Sequence, residues 1–281
     1  MMEVVNTIAV MQEECENLRL SGKRIALVPT MGFFHEGHLE LMRVGRELSD
    51  IMVVSIFVNP TQFGPNEDFE SYPHDTESDL AKAEERNVDL VFAPSVDEMY
   101  PGGSQTKIMV EKVTKHLCGL SRPEHFNGVT TVVAKLFNIA KPHIAIFGEK
   151  DYQQLTVIRR MAKDLDMDIR IVGVPTFREP DGLAMSSRNT RLSKEERKLA
   201  PFIYETLVQA REKMEDLTPS QLKEWVTLQF KKQSELNLEY FEIVEDKGLM
   251  PIDEWDTLVN KVACLAVELG GVRLIDNLNF D

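Results

Sequence analysis

Two histidines three residues apart, His35 and His38, follow an apolar run in the stretch Pro29-Thr30-Met31-Gly32-Phe33-Phe34-His35-Glu36-Gly37-His38-Leu39. Imidazoles placed where a strand gives way to a helix stand beside exposed backbone N–H groups and the positive end of the helix dipole, which together hold an anion. Without that context the pair would only end a loop, and a zinc site would need i,i+4 spacing and a third ligand. Asn59 and Gln62, within Phe57-Val58-Asn59-Pro60-Thr61-Gln62-Phe63-Gly64-Pro65-Asn66-Glu67-Asp68, offer amides that donate and accept at once. Such groups suit a substrate bearing hydroxyls and a carboxylate; the bland alternative is a polar turn shaped by prolines and Gly64. Gly148-Glu149-Lys150-Asp151-Tyr152-Gln153-Gln154 brings a lysine that can reach phosphate oxygens as a point charge. Asp151 could cap a helix, orient Lys150 or touch a ribose or a metal. Finally, Arg178-Glu179-Pro180-Asp181-Gly182-Leu183-Ala184-Met185-Ser186-Ser187-Arg188-Asn189 sets two hydroxyls beside an arginine. That is a donor cluster for the β- and γ-phosphates of a nucleotide as pyrophosphate leaves, or else a polar linker with a helix cap at Asn189 or Ser193.

These clusters need elements that bring them to one end of a sheet. From Arg24 to Pro175 short apolar runs alternate with amphipathic stretches, the pattern of βαβ units. Strands are predicted at Ile25–Val28, Ile51–Val58, Asp89–Phe92, His143–Phe147 and Ile169–Val174, several of them continuously apolar, as strands covered on both faces are. Helices are predicted at His38–Leu48, Thr76–Arg86, Gly128–Ala140 and Tyr152–Leu165, with Thr76 and Asp79 forming a capping box. Ligands of open parallel sheets sit beyond the carboxyl ends of the strands, where three of the clusters fall. After Pro175 a polar segment precedes two helical stretches, capped by Ser193 with Glu196 and by Thr218-Pro219-Ser220-Gln221. Strands at Leu238–Val244, Lys261–Val267 and Val272–Ile275 complete a small α+β module. The expected division is therefore 1–176 and 177–281.

Composition narrows the function classes. The 281 residues carry 32 Lys and Arg against 46 Asp and Glu, a net charge of −14. That balance disfavours broad nucleic-acid binding, which needs clustered cations. No apolar run approaches the roughly 20 residues of a membrane helix, and the N-terminal stretch lacks a basic region followed by an apolar core. Three widely spaced cysteines fit neither a disulfide framework nor a C-x-x-C metal site. They read as reduced thiols of a cytoplasmic protein.

The H-x-G-H after an apolar strand resembles the signature of the nucleotidyltransferase superfamily, and Met185-Ser186-Ser187-Arg188 is similar to the mobile Lys-Met-Ser-Lys-Ser loop of class I aminoacyl-tRNA synthetases. With His116-Leu117-Cys118-Gly119, Arg122-Pro123-Glu124-His125-Phe126-Asn127-Gly128-Val129 and Arg273-Leu274-Ile275-Asp276-Asn277, nearly the whole chain resembles the pantothenate synthetase (pantoate–β-alanine ligase) family. Glu124 stands where that family usually has glycine, and His74 where it usually has arginine. The resemblance implies an α/β fold, with a Rossmann-like parallel sheet in the N-terminal domain and a smaller α+β C-terminal lid. It implies a cytoplasmic homodimer using ATP with Mg2+ to join pantoate to β-alanine through a pantoyl adenylate, releasing AMP and pyrophosphate. His35 and His38 would meet the α-phosphate, and Lys150, Ser186, Ser187 and Arg188 the polyphosphate. Met31, Gly32, Gly148, Glu149, Asp151, Phe177 and Met185 would line the nucleotide. Gln62 and Gln154 would hold pantoate, with Gln62 also near the β-alanine amine. Three rivals are an enzyme that stops at adenylyl transfer to a phosphate, a synthetase remnant that charges tRNA, which the net charge of −14 and the lack of a basic anticodon-binding stretch disfavour, and a regulatory module that only senses ATP.

Overall fold

A computed structural model describes residues 2–65, 67–102, 104–255 and 258–280. Six strands form a parallel sheet: β1 (Glu3–Val5), β2 (Ile25–Thr30), β3 (Ile51–Ile56), β4 (Leu90–Phe92), β5 (Ile144–Gly148) and β6 (Arg170–Val174), in the order β1-β4-β3-β2-β5-β6. Along the chain as far as β6 the helices are α1 (Ile8–Leu20), α2 (Glu36–Leu48), α3 (Thr76–Glu85), α4 (Val96–Met99), α5 (Cys118–Ser121), α6 (His125–Ala140) and α7 (Tyr152–Asp164). The C-terminal part contributes α8 (Lys194–Leu199), α9 (Phe202–Glu212) and α10 (Pro219–Phe230), then an antiparallel sheet of β7 (Leu236–Glu245), β8 (Lys261–Leu269) and β9 (Val272–Asn279). This is the α/β architecture expected, with a small separate α+β sheet.

Strand β2 explains why the sheet is parallel and covered. Ile25, Ala26, Leu27 and Val28 are all buried, so neither face can meet water. On one side β2 pairs with β3 along its whole length, and on the other Ala26 and Leu27 pair with Ile144 and Ala145 of β5. The chain leaves β2 toward β3 and β4, and returns to its other flank through β5. Such a reversal of strand order opens a crevice at the carboxyl ends. Helix α2 lies close on the sheet because Gly45 has no side chain; a Cβ there would stand 3.2 Å from Met52 Sδ. Ala26, Val28, Met42, Met52, Val54, Ile144 and Ile146 belong to the core of this half.

Several boundaries differ from the sequence reading. Strand β1 and helix α1 are additional to it; β1 is three residues long, and α1 buries only Met11 and Cys15, too narrow a stripe to read as amphipathic. Helix α2 starts at Glu36 rather than His38, with His35 as its cap. Helix α3 is capped by Asp75, whose carboxylate accepts the Ser78 N–H at 3.1 Å, and not by the Thr76–Asp79 box. Helix α6 begins at His125, and β9 runs on to Asn279. Both capping boxes predicted beyond Pro175 form, Ser193 with Glu196 and Thr218 with Gln221. Pro201 separates α8 from α9, since a proline cannot continue the hydrogen-bond ladder it interrupts.

By packing, the chain forms two compact units. The first comprises the described residues of Met1–Val110, Glu124–Glu149 and Val157–Pro175; the second those of Glu111–Pro123, Lys150–Thr156 and Thr176–Asp281. Two short segments of the first 176 residues thus group with the C-terminal part. Leu207, Leu222, Val226, Phe241, Leu265 and Phe280 lie in the core of the second unit. All three cysteines are free and buried, and burial pushes the thiols of Cys15 and Cys264 up to about 12.

Candidate active site

The turn from Met31 to His35 is fixed through its backbone. Gly32 and Phe33 both have positive φ, at 82° and 53°. A Cβ on Gly32 would stand 2.9 Å from Asp79 Oδ2 and 3.1 Å from Ile56 Cγ2, so the position is closed to other residues. The N–H groups of Phe33 and Phe34 donate to the two oxygens of Asp79 at 2.7 and 2.6 Å, and Lys82 Nζ donates to the Phe34 carbonyl at 2.8 Å. Asp79 is buried, which pushes its carboxyl up, while the Phe34 and Phe33 N–H groups and the Lys82 ammonium pull it back. In the sequence Asp79 reads as a helix-capping acid; only the folded chain aims it at the turn.

His35 and His38 come together as predicted, their ring centroids 4.1 Å apart. His35 Nδ1 accepts the Gly37 N–H at 3.1 Å, and His38 Nδ1 accepts the His35 N–H at 3.4 Å. With Nδ1 an acceptor in each, the proton of the neutral ring belongs on Nε2. The rings thus cap α2 through Nδ1, and their remaining N–H belongs to Nε2, beside the N-terminus of α2.

At the end of β3, the Asn59 side chain organises the next cluster. It is buried; Nδ2 donates to Gln62 Oε1 and to the Gly128 carbonyl, both at 3.2 Å, while Oδ1 accepts from Thr61 Oγ1 at 3.0 Å and from the Tyr100 hydroxyl at 2.9 Å. Gln62 Nε2 lies 3.0 Å from Met31 Sδ, so Gln62 and Met31 do converge. The first turn of α6 braces this group: His125 Nδ1 is 2.8 Å from the Gln62 carbonyl, and a Cβ on Gly128 would be 2.3 Å from the Thr61 carbonyl oxygen. Tyr100 carries no motif signal, and sequence reasoning misses it. Asn66 lies outside the described residues. Glu124 accepts from Asn127 Nδ2 at 3.1 Å and lies 3.8 Å from Lys107, an anion at the α6 N-terminus where the dipole favours it. His74 contacts the Tyr72 carbonyl at 2.9 Å. Gly148 ends β5, and a Cβ there would meet no atom within 4 Å. A tight single turn, Glu149–Asp151, follows it.

The remaining predicted residues belong to the second unit. Lys150 is largely buried, its Nζ 3.9 Å from Asp151 Oδ2. Asn277 Nδ2 donates to the Lys150 carbonyl at 2.9 Å. Of the two glutamines that follow, Gln153 is committed to structure, donating to the carbonyls of Val113 and His116 at 2.9 and 2.8 Å; Gln154 is half-buried. Arg178 and Ala184 pair as an isolated antiparallel bridge, and the hairpin turns at Gly182, with φ 92° and a Cβ position 2.5 Å from the Tyr204 ring. Arg178 donates to both oxygens of Asp276, at 2.6 and 2.9 Å, and stacks 3.7 Å over Tyr204. Arg197 donates to Asp181 and Glu179 at 2.7 and 2.6 Å. Beyond the hairpin, Ser186 Oγ accepts the Arg188 N–H at 3.3 Å, Ser187 is buried, Arg188 half-buried and Phe177 exposed. The predicted residues thus fall into two groups, Met31 to Glu149 in one unit and Lys150 to Arg188 in the other. Among the described residues no set of three His, Cys, Asp or Glu could hold a metal, and no helix is long and apolar enough to cross a membrane.

Residues 3–279 match the family model described as Pantoate-beta-alanine ligase. A pantothenate synthetase of Geobacter sulfurreducens is 52% identical over 98% of each chain, and that of Syntrophus aciditrophicus 50% identical over 98% of this chain and 96% of its own. Among solved structures, a pantothenate synthetase from Thermus thermophilus superposes with a TM-score of 0.92 at 43% identity, covering 99% of each chain. A pantoate–β-alanine ligase from Francisella tularensis, complexed with β-γ ATP and β-alanine, gives 0.84 at 34% identity over 100% of this chain and 98% of its own. The chain belongs to the pantoate–β-alanine ligase family.

Proposed function

We propose that the chain condenses (R)-pantoate with β-alanine in two steps on ATP. A carboxylate is a poor electrophile, and amide formation in water is uphill, so the acid must first acquire a leaving group. A pantoate carboxylate oxygen attacks the α-phosphorus, the bond to the β-phosphate breaks, and pyrophosphate departs. The β-alanine amine then attacks the acyl carbon of pantoyl adenylate; the amide forms, AMP leaves and the amine loses a proton. Charge develops on phosphate oxygens in the first step, so positioning and electrostatic stabilisation dominate. The observation that carries this reading is the pair His35 and His38, whose Nδ1 atoms accept backbone N–H groups at the carboxyl end of the switch-point strand, an arrangement that assigns the ring N–H to Nε2.

In this reading His35 and His38 donate to the α-phosphate, His38 in the transition state. Lys150, Ser186, Ser187 and Arg188 take the polyphosphate. Met31, Gly32, Gly148, Glu149, Asp151, Phe177 and Met185 line the nucleotide, and Gln62 and Gln154 hold pantoate, Gln62 also meeting the amine. Magnesium enters with the nucleotide as MgATP. Such an ion favours phosphate oxygens with one or two carboxylates over an all-protein cage, and Asp151, beside Lys150, would be the carboxylate to hold it. A homodimer acting in the cytoplasm completes the reading. The test is product analysis. AMP and pyrophosphate should accumulate stoichiometrically with pantothenate only when pantoate and β-alanine are both present, and pantoate alone should drive exchange of labelled pyrophosphate into ATP. Adenylyl transfer without amide formation, or ATP binding without turnover, would sink it.

A further inference from the structure

The last strand carries two adjacent polar residues, Asp276 and Asn277, that are both buried. Each reaches a different distant segment of the same unit. Asp276 takes both guanidinium prongs of Arg178, 98 residues earlier, and Arg178 also donates to the carbonyls of Gly182 at 3.1 Å and Asn277 at 3.2 Å. Asn277 donates to the carbonyl of Lys150, 127 residues earlier, and its own N–H donates to Asp276 Oδ1 at 2.7 Å. One dipeptide therefore ties the root of the Arg178–Arg191 loop and the backbone of Lys150 to a single point. We infer that Asp276 and Asn277 are positioning residues for the nucleotide's polyphosphate, holding Lys150 in register with the Ser186-Ser187-Arg188 loop so that both meet the same phosphates.

A burial argument favours position over stability. An apolar pair of similar volume would often fill such a place at no loss of stability, because desolvating two charges offsets much of their attraction. What the ion pair adds is a fixed two-pronged geometry. Burial pushes the Asp276 carboxyl up, Arg178 pulls it back, and the Lys150 ammonium contributes in the same sense, so the charge on Asp276 is felt at Lys150 as well.

The inference rests on the assignment of Lys150 and Ser186 to Arg188 to the polyphosphate, and the experiment separates the two. ATP and AMP are titrated calorimetrically into the full chain, into Asn277→Ala and into Lys150→Met, with melting curves recorded for each. Loss of one hydrogen bond that fixes Lys150 should weaken ATP roughly tenfold and leave AMP unchanged, because AMP lacks the phosphates concerned. Lys150→Met should show the same selectivity more strongly. Should Asn277→Ala not melt like the parent, Arg178→Lys carries the same comparison, keeping the charge and losing the two-pronged pairing. Equal weakening of ATP and AMP, or none, in a folded variant overturns the inference while Lys150→Met remains selective. A Lys150→Met chain that fails to distinguish ATP from AMP overturns the polyphosphate assignment itself.

Discussion

In the turn after β2 the fixed groups are backbone: two N–H donors on a buried carboxylate, two residues at positive φ, and two imidazoles whose Nδ1 atoms cap the helix they begin. In the loop from Phe177 to Arg191 the fixed groups are mostly side chains: Arg178 on Asp276 and Tyr204, Arg197 on Asp181 and Glu179, and Asn189 Nδ2 on Glu179 at 2.8 Å. The first arrangement leaves the chain one shape; in the proposed function it would present ring donors to charge as it develops. The second would present cations and hydroxyls to charge that is present throughout. The two regions should therefore fail differently when damaged, the turn in kcat and the loop in nucleotide affinity.

The sharpest test of that contrast is His38→Ala. Removing one preorganised donor used in the transition state typically costs about 2.7–4 kcal/mol, or roughly 10²–10³ in rate. We expect kcat to fall by that much, with the KM for ATP nearly unchanged and with melting checked first because His38 also caps α2. A folded variant with parental kcat would make the histidine structural and dissolve the contrast.

Asp79→Asn probes whether the turn is held as described. The amide keeps the shape but turns an NH2 toward an N–H donor, so Phe33 or Phe34 loses its acceptor. An unsatisfied buried donor costs about 1–3 kcal/mol. Where that cost is met by a shifted turn, steady-state kinetics should show kcat/KM down by roughly 5- to 150-fold, although Asp79 is assigned no contact with substrate. Unchanged kinetics in a folded protein would mean that the Gly32–Phe33 geometry is set without the carboxylate.

The smallest effect belongs to the loop. Arg197 holds the Asp181 carboxyl below the usual carboxylate range. A depressed folded-state value contributes stability above the unfolded value, near 3.9, that is lost as pH falls through the lower folded one. Asp181 is partly exposed, at 42%, so screening limits the contribution to about 1 kcal/mol or less. Asp181→Asn should thus melt slightly below the parent near neutrality and match it once the pH is under the folded value. A melting difference that persists unaltered in strong acid would assign the effect to something other than the ion pair.

How much of this is legible beforehand depends on distance along the chain. The strand cores, the H-x-G-H turn and the boxes at Ser193 and Thr218 are set by neighbours, and the sequence displays them directly. Strand ends drift by a few residues because hydrogen bonding, not hydropathy, decides where pairing stops; β9 continues through the polar Asp276 and Asn277. Asp79 is visible as an acid in a first helical turn, yet its partners lie 45 and 46 residues earlier. Asp276 falls just past the predicted end of the last strand at Ile275, and its role shows only when Arg178, 98 residues earlier, is seen beside it. Tyr100 sits in no pattern at all. Buried polar groups must find partners, and for Asp276 and Asn277 those partners stand 98 and 127 residues away, beyond the reach of any local pattern.

The burial of all three thiols has a practical consequence. Thiolate, not thiol, is the form that alkylating and disulfide reagents attack, and at Cys15 and Cys264 it is suppressed as well as covered. A single cysteine introduced at exposed Pro180, a loop position assigned no contact with the nucleotide, would then be the preferred target of a maleimide dye in an otherwise unaltered chain. Fluorescence from such a label would follow the loop during turnover without first stripping the native sulfhydryls from the core.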